Sequence, residues 1–346
     1  MSQAAGEIYF IGEKDLRTKE LTQYFKVGIV RENSNNESRD STDRLSEHQT
    51  GNPRELYIES VVQTELVESV ETLLHKQFAP LGVRGEWMML NSDELSQVKA
   101  AANVLAGEAS QIMADLIKSE ELSIAVSDDL VIPATEELLA LHQSYLQSSA
   151  KLKTCNEMLD EIKDIFAAAI GGDEEVKVFA KIQERKGRAI FDADAFKGKY
   201  LEIYTKFLDK KREVKGPATF SGVRGYKPDF KEFDANFSAV VDSFRPLVEK
   251  IESGKEKKEV LHGLSLEIRS SESEALWNKL KAESKIKVAC GTHAGIEGVL
   301  KWARTEKVTE VLNKKGLKEA HPDLVAEFTT QGEATKAVIV DPKKGY

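Results

Sequence analysis

Cysteine is nearly missing from this chain: two in 346 residues, Cys155 and Cys290, far apart. That excludes a disulfide framework and a cysteine-based metal knuckle, and leaves two buried thiols in a reducing compartment as the expected state. No apolar run approaches the roughly 20 residues needed to cross a bilayer. The N-terminus also lacks a charged-then-apolar leader, so a cytoplasmic location and no membrane partner are expected. Positive charge is in deficit, with 49 Lys and Arg against 58 Asp and Glu and a net charge of −9. A simple nucleic-acid coat is thereby excluded, whereas a locally basic groove on an acidic protein is not. A phosphate-cradling loop is missing too, because Gly171-Gly172-Asp173 has neither the flanking strand nor the Lys-Ser/Thr of a P-loop. These two glycines read as the stop of a helix. What is present is a 41% hydrophobic, 31% charged chain long enough for two or more domains.

The first quarter of the chain carries the motifs. Residues 7–11 form a short apolar strand bearing Tyr9, and residues 24–30 a β-branched and aromatic second strand containing Gly28; a hairpin is the simplest pairing. A polar loop over 31–41 leads to a short helix with Ser41 as its expected N-cap. That helix carries Arg44 and His48 one turn apart and stops at Thr50-Gly51-Asn52-Pro53. Residues 55–63 give a third strand. Residues 65–78 give a helix with Val67, Val70 and Leu74 on one face and Glu71 and His75 one turn apart beside it. Gly85 makes a turn before a last strand over 87–90, and Asn91 with Glu94 fits a capping box that opens the next helix.

Taken singly, Tyr9 is a packing residue, Lys26 an edge-strand charge, Glu71 a carboxylate on a solvated helix face and His75 a structural neighbour of Leu74. Their order carries more. Ile8-Tyr9, Lys26-Val27-Gly28, Arg44, Thr50-Gly51-Asn52-Pro53, Glu71-x-x-x-His75 and Gly85-Glu86-Trp87 together resemble the GIY-YIG nuclease superfamily, in particular its phage-associated branch described as a DNA-binding domain. The pattern departs at two points: Glu7 stands between Gly6 and Ile8-Tyr9, so the first motif reads G-E-I-Y, and the loop over 31–41 delays the helix that carries Arg44. The resemblance implies Tyr9 as the base, its pKa of about 10 lowered by cations or a metal. It implies Lys26 in the place often held by a second Tyr, and Arg44 as the phosphate grip. Glu71 is implied as the single carboxylate for Mg²⁺ (or Mn²⁺), and His48 as a proton relay on the same side as Arg44.

Beyond Asn91 the pattern becomes helical. Residues 94–119 form an amphipathic helix. Over 135–169 a heptad seam runs through Leu138, Leu141, Tyr145, Ser148, Leu152, Cys155, Leu159, Ile162, Phe166 and Ala169. Such a stripe needs a partner, either a later helix of this chain or a second copy in a homodimer. Residues 171–207 and 291–328 align as a possible internal repeat, with Phe196-Lys197 against Leu317-Lys318, Tyr200 against His321, and Lys181 against Lys301. Both units resemble the helical tail of YqaJ-type, lambda-like exonucleases, without that family's catalytic core. Basic residues outnumber acidic ones over 177–231. Lys181, Lys210, Lys211, Arg212, Arg224 and Lys301 are candidate nucleic-acid contacts, their ordinary reading being a solvated surface. Phe220, Tyr226 and Phe230 dot a Gly/Pro-rich loop and are candidates for stacking on bases.

The expected fold is α+β. A small three-layer GIY-YIG-like domain spans 1–91 and a helical connector 92–134. The long helix with a first accessory module spans 135–212, a basic linker 213–235, a helical second module 236–332 and a tail 333–346. The expected function is a Mg²⁺-dependent DNA endonuclease with a helical positioning or dimerising arm. The alternatives are a non-catalytic phage or mobile-element DNA-binding protein with a degenerate site, and a helical structural or interaction protein.

Overall fold

The computed structural model describes residues 4–32, 39–50, 52–170, 176–217, 220–222 and 233–340. Its N-terminal part is β1 (Gly6–Lys14), β2 (Leu21–Arg31), α1 (Ser41–Gln49), β3 (Glu55–Thr64), α2 (Val67–Gln77), β4 (Gly82–Arg84), β5 (Trp87–Met89) and α3 (Ser92–Ser123). The five strands form one antiparallel sheet in the order β3-β1-β2-β5-β4, so the expected hairpin lies at its centre. Strand alternation sorts the side chains between two faces. Ile8, Phe10, Phe25 and Val27 pack under α2 and α3, while Tyr9, Ile11, Val30 and Leu56 face Leu45 of α1 on the other side. The result is the three-layer α/β arrangement the sequence predicts.

Two helix starts differ from expectation. The N-cap of α1 is Asp40, not Ser41: its carboxylate accepts from the Thr42 and Asp43 amides, and Asp43 completes a capping box. Ser41 is instead the buried first residue of the helix. Helix α2 begins at Val67 rather than at 65 because Leu66 is left-handed, with φ of 51°, and its fully buried side chain holds that conformation. The Asn91–Glu94 capping box forms as read. Helix α3 is longer than expected and joins the N-terminal core, where Val98, Ala102, Ala109 and Ile112 pack with Ile8 and Phe10.

The chain continues as α4 (Glu136–Ala169), α5 (Val176–Phe179), β6 (Ala180–Arg185), β7 (Ala189–Phe191), α6 (Ala193–Lys199), α7 (Leu201–Lys206), β8 (Leu208–Lys215) and β9 (Ser221–Gly222). Then follow α8 (Ala235–Glu252), α9 (Lys258–Cys290), β10 (Gly295–Ile296), β11 (Leu300–Lys301), β12 (Thr305–Leu312), α10 (Lys314–Ala320), α11 (Pro322–Glu327), β13 (Thr329–Gln331) and β14 (Thr335–Val340). The heptad stripe of α4 is covered by α9 of the same chain. Leu159, Ile162 and Phe166 pack with Leu261, Leu264 and Ile268 at one end, and Leu138 and Tyr145 with Ala282, Ile286 and Cys290 at the other, so the two helices run antiparallel. Of the two partners the stripe allowed, the later helix of the same chain covers it, so no second copy is needed for that burial. Both cysteines are buried in these clusters as free thiols, and burial pushes each up to about 11. The glycine stop at 171–172 lies outside the described residues.

Lys76 of α2 reaches Glu274 and the Ser270 carbonyl of α9, and Glu108 of α3 accepts from Trp277 Nε1 at 3.1 Å and Lys281 Nζ at 2.8 Å. These contacts fasten the N-terminal sheet to the bundle.

The internal repeat is real in its second half and not in its first. The units β7-α6-α7-β8 and β12-α10-α11-β13 exchange strands: β7 pairs with β13, and β8 with β12. Equivalent residues make equivalent bonds. Asp192 caps α6 through the Ala195 amide and Asn313 caps α10 through the Gly316 amide. The Asp192 amide donates to Phe328 O at 2.9 Å, and the Asn313 amide donates to Phe207 O at 2.8 Å. A pseudo-two-fold axis therefore relates the units around a shared core containing Phe196 and Leu317. The Lys181–Lys301 correspondence fails, since Lys181 is in β6, paired with β14, while Lys301 is in β11, between β10 and β9. Two antiparallel ribbons tie this module to opposite ends of the α4–α9 pair. Ribbon β6/β14 leaves from Ala180 and Val340 in the cluster with Phe166, and ribbon β8/β12 leaves beside Trp302 in the cluster with Leu138. Arg304 roots the second ribbon. It is fully buried, stacked 3.8 Å from the centre of the Trp302 ring, and donates to the carbonyls of Ala125 and Gly291.

Candidate functional site

The N-terminal sheet is interrupted where its chemistry sits. Strand β5 covers β2 only from Tyr24 to Lys26, so the stretch of β2 beyond it is an open edge. Across that edge lies a polar cleft of about 290 Å³ lined by Tyr9, Ile29, Arg31, Arg39, Arg44, Glu71 and Glu86. Residues from both faces of the sheet meet there: Tyr9 and Arg44 from the α1 side, Glu71 from α2 on the other. His75 explains how α2 is held, since its Nε2–H donates to the Val27 carbonyl at 2.8 Å, tying the helix to the open edge.

Tyr9 is 2% exposed, and its ring lies across β2 opposite Gly28. A Cβ on Gly28 would stand 2.4 Å from the Tyr9 hydroxyl, which is why Lys26-Val27-Gly28 ends in glycine. The hydroxyl sits 3.2 Å from His48 Nε2. Burial, then the nearby Glu86 carboxylate, pushes Tyr9 up to about 12, against the expectation that neighbouring cations lower it; Arg44 opposes the rise and does not win. His48 moves the other way. Burial, then Lys26 and Arg44, lowers its pKa, which favours the uncharged imidazole at neutral pH; in the tautomer with the proton on Nδ1, Nε2 accepts from the Tyr9 hydroxyl.

Lys26 is buried on the same face as Tyr9, and its ammonium pairs with Glu86 of the turn before β5. That turn is made by Gly85, with φ of 58°. Arg44 is half-exposed and donates to Glu47 at 3.0 Å; Arg39 also contacts Glu47, and Arg31 contacts Glu68. Each arginine is thus steadied by a carboxylate while its guanidinium still lines the cleft. The inserted Glu7 has a structural task. It accepts from the Ser41 amide at 2.9 Å and from Gln63 Nε2 at 2.8 Å, so it pins the start of α1, and with it Arg44 and His48, to the sheet.

Of the residues named from sequence, Tyr9, Arg44 and Glu71 line one cleft, His48 stands behind Tyr9, and Lys26 is tied up by Glu86. Arg31, Arg39 and Glu86 were missed. Glu86 lies in the quoted Gly85-Glu86-Trp87, and Arg31 follows Ile29 with the period of a strand; Arg39 lies in a loop with no pattern to mark it. Among the described residues no three His, Cys, Asp or Glu side chains converge as a metal cage. The oxygen of Glu71 in a polar cleft nevertheless suits a hard cation that keeps most of its own waters.

The basic candidates lie elsewhere. Lys181 is on β6, Lys210, Lys211 and Arg212 on β8, and Lys301 on β11. Successive strand residues face opposite ways, so Lys210 and Arg212 share one face while Lys211, paired with Glu213, is on the other. The run is therefore split rather than gathered into a single track. Phe220 packs edge-on against Tyr145, at 5.1 Å between ring centres, and so anchors its loop. Arg224, Tyr226 and Phe230 lie outside the described residues.

Residues 6–103 match the T5orf172 domain, a family within the broader GIY-YIG nuclease clan. No curated protein and no solved structure matches the chain. No helix among the described residues is long and apolar enough to cross a membrane.

Proposed function

We propose that the N-terminal domain, as a GIY-YIG-type relative of the phage-associated branch, is a Mg²⁺- or Mn²⁺-dependent DNA endonuclease that hydrolyses phosphodiester bonds. The observation that carries this reading is the convergence of Tyr9, Arg44 and Glu71 on one polar cleft, with neutral His48 bonded to the Tyr9 hydroxyl. Arg44, with Arg31 and Arg39 beside it, binds the scissile phosphate and stabilises the charge that grows on its oxygens. His48 is the proton acceptor. As the water's oxygen bonds to phosphorus, its proton passes to Nε2 through the Tyr9 hydroxyl, which gives up one proton as it gains another and never has to exist as phenolate, while the P–O bond to the leaving oxygen breaks and that oxygen takes a proton from solvent. Glu71 would hold the metal, which supplies Lewis-acid stabilisation of the phosphate when bound. Lys26 and Glu86 neutralise one another behind Tyr9 and set the field around it.

The test is nicking of supercoiled DNA by the full chain with Mg²⁺ or EDTA, beside Glu71→Ala and Arg44→Ala. Cutting that needs the metal and falls on the order of a hundredfold or more in both variants supports the reading. The rate should rise as pH climbs through the depressed His48 pKa, below the usual 6.5, and then level off, because the acceptor works only when uncharged. Intact DNA under every condition would sink it. The closed Lys26–Glu86 pair, which engages the ammonium instead of presenting it to a phosphate, is the observation that favours the second reading, a DNA-binding domain that does not cut.

A further inference from the structure

The strand-exchanged module offers an internal control for a cavity of its own. On the α10–α11 side lies a cleft of about 420 Å³, floored by Phe191, Leu317, Val325 and Ala326, with Lys314 and Lys318 at its border. Neither lysine has an ion-pair partner among the described residues, and both are exposed. The pseudo-two-fold axis maps this place onto the α6–α7 side. There Tyr204 stands for Val325, Phe196 for Leu317, and Lys197 for Lys318. In that half, Lys197 lies over the Tyr204 ring, 5.6 Å from its centre. One unit thus has an aromatic ring beneath its lysine, whereas the other has the same lysine above a short valine and an open apolar space.

We propose that this cleft takes the unstacked base of a single-stranded nucleic acid, seated where Tyr204 sits in the other unit, with a flanking phosphate on Lys314 and Lys318. The chemistry is matched on both counts. An aromatic ring between an apolar floor and an ammonium gains stacking and cation–π attraction, and a phosphate beside two unpaired lysines gains a charge-assisted contact. A base inside a duplex cannot reach such a cleft, because its faces are covered by its neighbours. The site therefore selects unpaired strand, a task different from the cleft around Tyr9. The proposal rests on the reading that this chain works on DNA, but not on its ability to cut.

The test uses the full chain with Glu71→Ala, so that cleavage plays no part, and fluorescence anisotropy with a labelled oligodeoxythymidylate, a blunt duplex and free thymidine monophosphate. Val325→Tyr, which installs the other unit's residue, should weaken single-strand binding roughly tenfold and leave the duplex unaffected. Lys314→Ala with Lys318→Ala, both exposed and without consequence for folding, should do the same and decide the matter if Val325→Tyr disturbs the module. Single-strand affinity unchanged in both, or single strand and duplex weakened together, would overturn the proposal. So would free nucleotide binding as tightly as the strand, since that would make the cleft a small-molecule site. Cutting by the Glu71 chain is scored separately, so failure of the nuclease reading and failure of this one give different results.

Discussion

The N-terminal sheet and the two ribbons of the C-terminal module are both antiparallel β structure, yet they are stabilised by different means. The sheet is sandwiched between α1 and the α2–α3 pair, and Ile8, Phe10 and Ile11 are completely buried. The ribbon β8/β12 is mostly exposed along its length, with Val308 58% exposed and Val311 46%. An isolated two-stranded ribbon is marginal in water. These ribbons endure because each is anchored at both ends, in the shared core around Phe196 and Leu317 and in the two clusters of the α4–α9 pair. The sheet therefore uses side-chain packing to fix the positions of Tyr9, Gly28 and Lys26, while the ribbons use backbone pairing to span a distance.

Three substitutions bear on this contrast. Phe10→Ala removes a fully buried ring from the N-terminal core and should cost about 3–5 kcal/mol in chemical denaturation. A loss under 1 kcal/mol would mean that the sheet, like the ribbons, relies on pairing. Gly28→Ala should cost about 1–3 kcal/mol through overpacking against Tyr9, and should cut any DNA cleavage by breaking the Tyr9–His48 contact. Wild-type activity in this variant would show that the position of the Tyr9 ring is immaterial. Val308→Thr on the ribbon should change stability by no more than about 0.5 kcal/mol. A larger effect would show that the exposed valine packs on something in solution.

The sequence was a good guide wherever a local pattern coincided with a buried face. The period-two alternation of β1 and β2, the capping box at Asn91 and the heptads of α4 were all legible, since each depends on residues close together in the chain. The contacts that complete the site are long-range. The Lys26–Glu86 pair, the Glu7 bond to Ser41 and the Tyr9–His48 bond link separate elements, and no spacing rule encodes them. The protein's own cations do not lower the Tyr9 pKa as expected, because Lys26 is paired with Glu86 and the burial that outweighs Arg44 is a property of the fold, not of spacing. The repeat was legible in its helices, where Phe196 and Leu317 occupy matching core positions. The exchange of strands was not, because either strand of a unit has the pattern to pair with its own neighbour.

That exchange makes every early strand of the module wait for a partner made late in the chain. Ribosomes deliver β6, β7 and β8 long before β12, β13 and β14, and every one of the early strands is paired with a late one. The α4–α9 pair brings Arg304 and the start of β12 to the root of β8, so that ribbon starts from an end already held. Loop closure over such a separation is slow and leaves unpaired strand edges waiting. Lys210, Lys211, Arg212 and Lys215 place charge along the edge of β8, which disfavours its pairing with the same strand of a second copy.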